Sequence, residues 1–81
     1  MLGYDFEVSD IKYINYYFED EFGDCHLLNT EEDISKYAND MDVYLKDGRV
    51  FETTFPAFIH EIRSQFIAYQ YEQLLNINYE I

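Results

Sequence analysis

Cys25 and His26 stand side by side, and with His60-Glu61 they are the residues of this chain whose types most invite chemistry. A cysteine nucleophile works as a thiolate, and the acids Asp20, Glu21 and Asp24 around Cys25 oppose its ionisation. His60-Glu61 begins like the zinc-protease pattern HExxH, but that pattern needs a second histidine where this chain has Ser64. A structural zinc site takes four ligands, and Cys25, His26 and His60 do not supply them. The simpler assignment is a partly buried cysteine beside a surface histidine. The run Glu19-Asp20-Glu21-Phe22-Gly23-Asp24 is dense in oxygen donors, yet it lacks the alternating ligands and closing glutamate of a calcium loop. There is no glycine-rich phosphate loop, no CxxC and no G-x-S-x-G. A glycosidase-like carboxylate pair can be drawn among so many acids, but no cleft-sized domain surrounds it. The sequence therefore predicts no catalytic residue, no metal and no cofactor, and a protein that acts by binding.

The elements that would carry these residues follow from turn signals and apolar spacing. Asp47-Gly48 separates Asp42–Lys46 from Arg49–Thr54 and suits a two-residue type I′ hairpin turn. In that register Leu45 faces Val50, and Tyr44 faces Phe51 on the other side of the sheet. Pro56 opens a long helix reaching about Asn76, with Ile59, Ile62, Phe66 and Tyr69 on one stripe. Ile67, Tyr71, Leu74 and Leu75 widen that stripe until it needs a sheet and a further surface to cover it. Thr30-Glu31-Glu32-Asp33 has capping-box form and starts a short helix with Ile34, Tyr37 and Ala38 inward and Asn39-Asp40 at its end.

Residues 9–28 admit two readings. Strand propensity in Tyr13-Ile14-Asn15-Tyr16-Tyr17-Phe18 and the turn at Phe22-Gly23-Asp24 favour a hairpin, Ile11–Asp20 with Cys25–Leu28. A helix from Ser9 to about Glu21 would instead gather Ile11, Ile14 and Phe18 on one face. The hairpin is preferred, and alternating Tyr4, Phe6 and Val8 would add an edge strand. The expected architecture is one α+β domain, residues 1–81, in ββαββα order. Two hairpins form a small antiparallel sheet packed against one long C-terminal helix and one short helix.

Composition sharpens the functional reading. The chain has 81 residues, is 48% hydrophobic and 20% aromatic, and should fold without disulfides, for which its one cysteine provides no partner. Its net charge of −12 lies beyond what a small domain needs for solubility, which is roughly 2–8 in magnitude. Direct binding to nucleic acid or anionic lipid calls for Lys and Arg patches that a chain with five basic residues lacks. Met1-Leu2-Gly3-Tyr4-Asp5 has neither the basic flank nor the apolar stretch of a secretion signal, and no apolar run suggests a membrane span, so the cytoplasm is expected.

The acids gather in two places: Glu19, Asp20, Glu21 and Asp24 around Gly23, and Glu31, Glu32 and Asp33 at the start of the short helix. Capping accounts for the second group, and a solvated turn is the plain account of the first. Ordered carboxylates can also imitate duplex phosphates and steer toward a basic groove. In size and charge the chain resembles the small phage-encoded inhibitors of host defence, of the anti-CRISPR and anti-restriction type, several of which are DNA mimics. That resemblance implies an inhibitor, in the host-cell cytoplasm, that occupies the basic nucleic-acid-binding site of an effector nuclease or similar protein. The expected partner-binding residues are Glu19, Asp20, Glu21, Asp24, Glu31 and Glu32, with Phe22 as an aromatic anchor. The alternative is a protein-interaction or homodimer module that uses exposed aromatics such as Tyr44 and Phe51, without mimicry.

Overall fold

The computed structural model describes residues 4–79, with side chains through residue 76; Met1–Gly3, part of the stretch read as lacking a secretion signal, lie outside the described residues. A 3-10 turn, Val8–Asp10, leads into β1 (Ile11–Glu19), β2 (Cys25–Leu28), α1 (Glu31–Tyr37), β3 (Asp40–Leu45), β4 (Val50–Thr53) and α2 (Pro56–Tyr79). The four strands make one antiparallel sheet in the order β2-β1-β3-β4. This is the expected ββαββα architecture, and residues 9–28 form the hairpin rather than the helix. The anticipated edge strand at Tyr4–Val8 is not formed: Phe6 is buried in the core and Val8 enters the 3-10 turn.

Both hairpins turn by the same device. Leu45 O accepts Gly48 N–H at 3.1 Å, and Asp20 O accepts Gly23 N–H at 3.1 Å. The glycine that ends each turn is left-handed, with φ of 95° at Gly48 and 84° at Gly23. No other described residue has positive φ, which excludes the type I′ turn expected at Asp47-Gly48, since that turn needs two. A type I turn followed by a left-handed glycine makes a three-residue loop instead. The strands slip by one residue, so Val43 pairs Phe51 and Tyr44 pairs Val50. Because side chains alternate, that slip exchanges faces. Phe51 thus joins the core side and is not the exposed partner of Tyr44.

One face of the sheet is covered. Met41, Val43, Leu45 and Ile11 meet Ile59 and Ile62 of α2, with Phe6 closing one end. Tyr4, Phe6, Phe51 and Phe58 form an aromatic cluster beside this core, with ring centroids 4.8 to 6.3 Å apart. α1 sits on the same side: its Tyr37 approaches Phe18, and its Glu31 pairs with Arg63 of α2 at 2.6 Å. Thr30 Oγ1 accepts Asp33 N–H at 3.1 Å, the N-cap that the sequence anticipates. Tyr37, expected to face inward, is exposed, its ring meeting Phe18 edge-on rather than entering the core.

Ile62→Ala should cost about 2–5 kcal/mol, a large share of the roughly 4–12 kcal/mol open to a domain of this length. Urea titration should show a much lower midpoint with little change in slope. An unchanged midpoint would place the core elsewhere.

Candidate functional site: an open acidic sheet face

The uncovered face is set by the same alternation. It carries Tyr13, Asn15, Tyr17 and Glu19 from β1 and Cys25 and Leu27 from β2. From β3 and β4 come Asp40, Asp42, Tyr44, Val50 and Glu52. Among the described residues no helix lies over it. Its acids form a belt across the sheet. Asp42 and Glu52 are direct cross-strand partners, and Asp40 follows two residues along β3, about 6.6 Å away at strand rise. Glu19, Cys25 and Asp40 bring their terminal atoms within 4.8 Å of one another. The Cys25 thiol points at Asp40 Oδ2, 3.7 Å away.

Tyrosines frame the belt. The rings of Tyr13 and Tyr44 stack with centroids 4.5 Å apart, and Asn15 Nδ2 donates to the Tyr17 hydroxyl at 3.4 Å. Asn39 fixes the other end. Its side chain accepts from Glu19 N–H at 2.7 Å and donates to Glu19 O at 3.0 Å, taking the place of a strand neighbour. The belt is thus held by backbone pairing on rigid elements, with Glu19 clamped at its margin.

The electrostatic cost of this belt shows in its titrations. Asp42 is held above the ordinary carboxylate range, first by burial among its neighbours and then by the charges of Glu52 and Asp40. Tyr44 is raised by burial, then by Tyr17, Asp42 and Tyr13, with the Asn15 hydrogen bond pulling the other way. The Cys25 thiol is also pushed up, by burial and then by Asp40 and Glu19. The sequence anticipates that direction, but the acids responsible lie across the sheet rather than in the adjacent turn. Cys25 is exposed rather than partly buried, because β2 is an edge strand and this face has no cover. Two carboxylates and a protonated thiol fall short of the donor set of structural zinc. His60, on α2, lines a small cavity of about 140 Å³ with Ile34 and Arg63 on the helix side, away from Cys25.

The residues expected to bind a partner are divided among several tasks. Glu19 belongs to the belt. Asp20 is a turn staple: its Oδ1 accepts Phe22 N–H at 2.9 Å and Asp24 N–H at 3.0 Å, and its Oδ2 meets His26 Nε2 at 2.9 Å. The His26 contact and these amides hold Asp20 below the usual carboxylate range. Glu21, Asp24 and Phe22 sit exposed at the turn, Phe22 at 81%. Glu31 and Glu32 lie on the helix side, paired with Arg63 at 2.6 Å and Lys36 at 2.8 Å. The structure does not bring them to the belt. Asp40, Asp42 and Glu52 are missing from the sequence-based set, although the alternation Asp40-Met41-Asp42-Val43 marks the two aspartates as one face.

Comparison of the chain with protein-family models, curated proteins and solved structures finds no match.

Like charges opposed across strands are destabilising, so Asp42→Asn should raise Tm, by the equivalent of a few tenths of a kcal/mol. A raised pKa means the folded state holds this proton more tightly than the unfolded one. The penalty is therefore absent below the ordinary carboxylate range and develops as pH rises through the raised value. The Tm advantage of Asp42→Asn should be largest near neutral pH and fade on acidification; melts across pH 4–7 test it. A lower Tm at neutral pH would contradict the like-charge account. At the turn, Asp20→Ala should lower Tm more than Asp20→Asn, which keeps an oxygen acceptor for the two amides.

Proposed function

We propose that this protein is a binding module, not an enzyme, that occupies the basic nucleic-acid-binding site of a nuclease or other DNA-binding protein. The observation that carries this reading is the belt of Glu19, Asp40, Asp42 and Glu52 on a sheet face without a covering helix. These acids sit where they oppose one another, on a scaffold that would be more stable without them. Destabilising groups retained on a rigid surface are expected where binding requires them. Carboxylates repeating along strands offer a basic groove a row of charges, and the net charge of −12 steers encounter. Tyr13 and Tyr44 supply flat aromatic surface beside the charges, and Phe22 supplies an anchor at the adjoining turn. DNA mimicry of the anti-CRISPR or anti-restriction type is the functional class this reading favours, with the cytoplasm as its setting. It is supported by the excess of acids, seventeen against five basic residues, and by the cross-strand opposition of Asp42 and Glu52 on the open face.

The experiment is an affinity capture at about 0.1 M salt, eluted with about 0.5 M salt or with duplex DNA. Nucleic-acid-binding proteins should be captured and released by either eluent. The triple variant Asp40→Asn, Asp42→Asn, Glu52→Gln should bind them tenfold more weakly or worse, about 1.4 kcal/mol, while melting no lower than the natural chain. Partners that resist salt and bind no nucleic acid would overturn mimicry and assign the function to the aromatic surface.

A further inference from the structure

The second half of α2 has a character unlike the rest of the chain. Between Arg63 and Glu80 the only charged side chain is Glu72, in a protein whose net charge is −12. The helix leaves its own domain there. Ile59 and Ile62 are buried and Phe66 and Tyr69 half-buried, but residues 70–76 are all exposed. Ile67, Tyr71 and Leu74 form one apolar row at spacings of four and three, with Leu75 beside it and Tyr71 and Leu74 exposed at 66% and 62%. A groove of about 300 Å³ runs between this row, Gln70 and Glu31. Helix without tertiary cover is marginal in water, and among the described residues no i,i+4 ion pair holds this overhang.

We propose that this overhang is a homodimer seam, in which two copies pack their α2 C-terminal halves antiparallel about a twofold axis. Charge selects the occupant. A basic partner gains little here, where Glu31 is already paired with Arg63 and Glu72 is the one other acid, whereas a second copy is repelled by almost every other part of the molecule. The charge-poor row is where two such chains can touch. Antiparallel packing also sends the two acidic bodies to opposite ends of the helix pair. The seam from Ile67 to Asn76 spans about 15 Å, longer than the Debye length of about 8 Å at physiological salt. Each row of Ile67, Tyr71 and Leu74 then fills the groove beside its partner's, and the isologous contact closes after two copies. Both open acidic faces remain free, which would give a dimer two binding surfaces and the advantage of avidity on a multivalent target.

Sedimentation equilibrium on the full chain tests the proposal. The natural protein should reach twice its 9.8 kDa chain mass at micromolar concentration. Its dimer should tighten as salt rises from about 0.1 to about 0.5 M, because salt screens body-to-body repulsion. Leu74→Glu and Tyr71→Glu should each weaken the dimer at least tenfold while leaving the near-ultraviolet tyrosine signal of the sheet in place. In a Cys25→Ser background, Tyr71→Cys should give an intermolecular disulfide on mild oxidation. The acidic-belt triple variant should remain dimeric, which separates this proposal from the function proposed above. A natural chain that stays at its monomer mass, a dimer that loosens with salt, or dimers indifferent to both seam variants would each overturn it.

Discussion

Gly48 takes a φ of 95°, and the organisation of the open face depends on that one dihedral. A left-handed residue after a type I turn adds a third residue, Lys46, to the loop, so each β3 residue meets the β4 residue one position earlier than it would across a two-residue turn. Val43 and Phe51 consequently share the covered side, while Asp42 and Glu52 stand opposite each other on the open side. Had the turn been type I′, Glu52 would leave the open face and Phe51 the aromatic cluster, while Glu19, Asp40 and Asp42 would stay where β1–β3 pairing puts them. Gly23 repeats the arrangement in the first hairpin, where Asp20 reinforces it with its carboxylate. Backbone conformation at two glycines thus sets the register of both hairpins, and with it the pairing of Asp42 with Glu52 and of Glu19 with Cys25.

A sheet covered on one side must dispose of its other side in some way. Antiparallel sheets commonly leave that side polar and solvated. Here it carries acids at close quarters with tyrosines, an arrangement that raises the proton affinity of Asp42. Mixed charge would serve solubility at lower cost, and the chain does possess lysines and arginines. Lys36, Arg49 and Arg63 are instead committed to Glu32, Asp47 and Glu31 away from the belt. Three of the five basic side chains are thus engaged elsewhere, and the belt residues Glu19, Asp40, Asp42 and Glu52 have no ion-pair partner among the described residues.

Much of the fold is legible in the sequence, because its signals are local. Thr30 caps α1, Pro56 starts α2 with Ile59 and Ile62 on its buried stripe, and the glycine turns delimit four strands. The β3–β4 register is not legible in the same way. Asp-Gly serves both the two-residue and the three-residue loop, and the choice depends on whether Asp47 or only Gly48 takes positive φ. That ambiguity carried directly into the site. With the two-residue register, Glu52 falls on the wrong face and cannot be joined to Asp42, whereas Asp40 and Asp42 share a face in either register. Runs of acids in sequence are a poor guide here because turns and helix starts use them locally, as Asp20 and the first turn of α1 do. Acids alternating with core residues are less conspicuous, yet a strand displays them together.

Acid and apolar surface are also separated along the length of the molecule. The belt is built on strands and held by backbone pairing, where carboxylates can be kept in register without the freedom of long loops. The charge-poor second half of α2 extends from the opposite side of the sheet, where no strand competes for its apolar row. Placing both on one surface would set strong mutual repulsion against association. Keeping them apart allows a chain of −12 to carry dense charge and a hydrophobic contact surface at once. Salt should then act on the two in opposite directions, weakening what the belt attracts and strengthening what the helix holds, because screening removes an attraction in one case and a repulsion in the other.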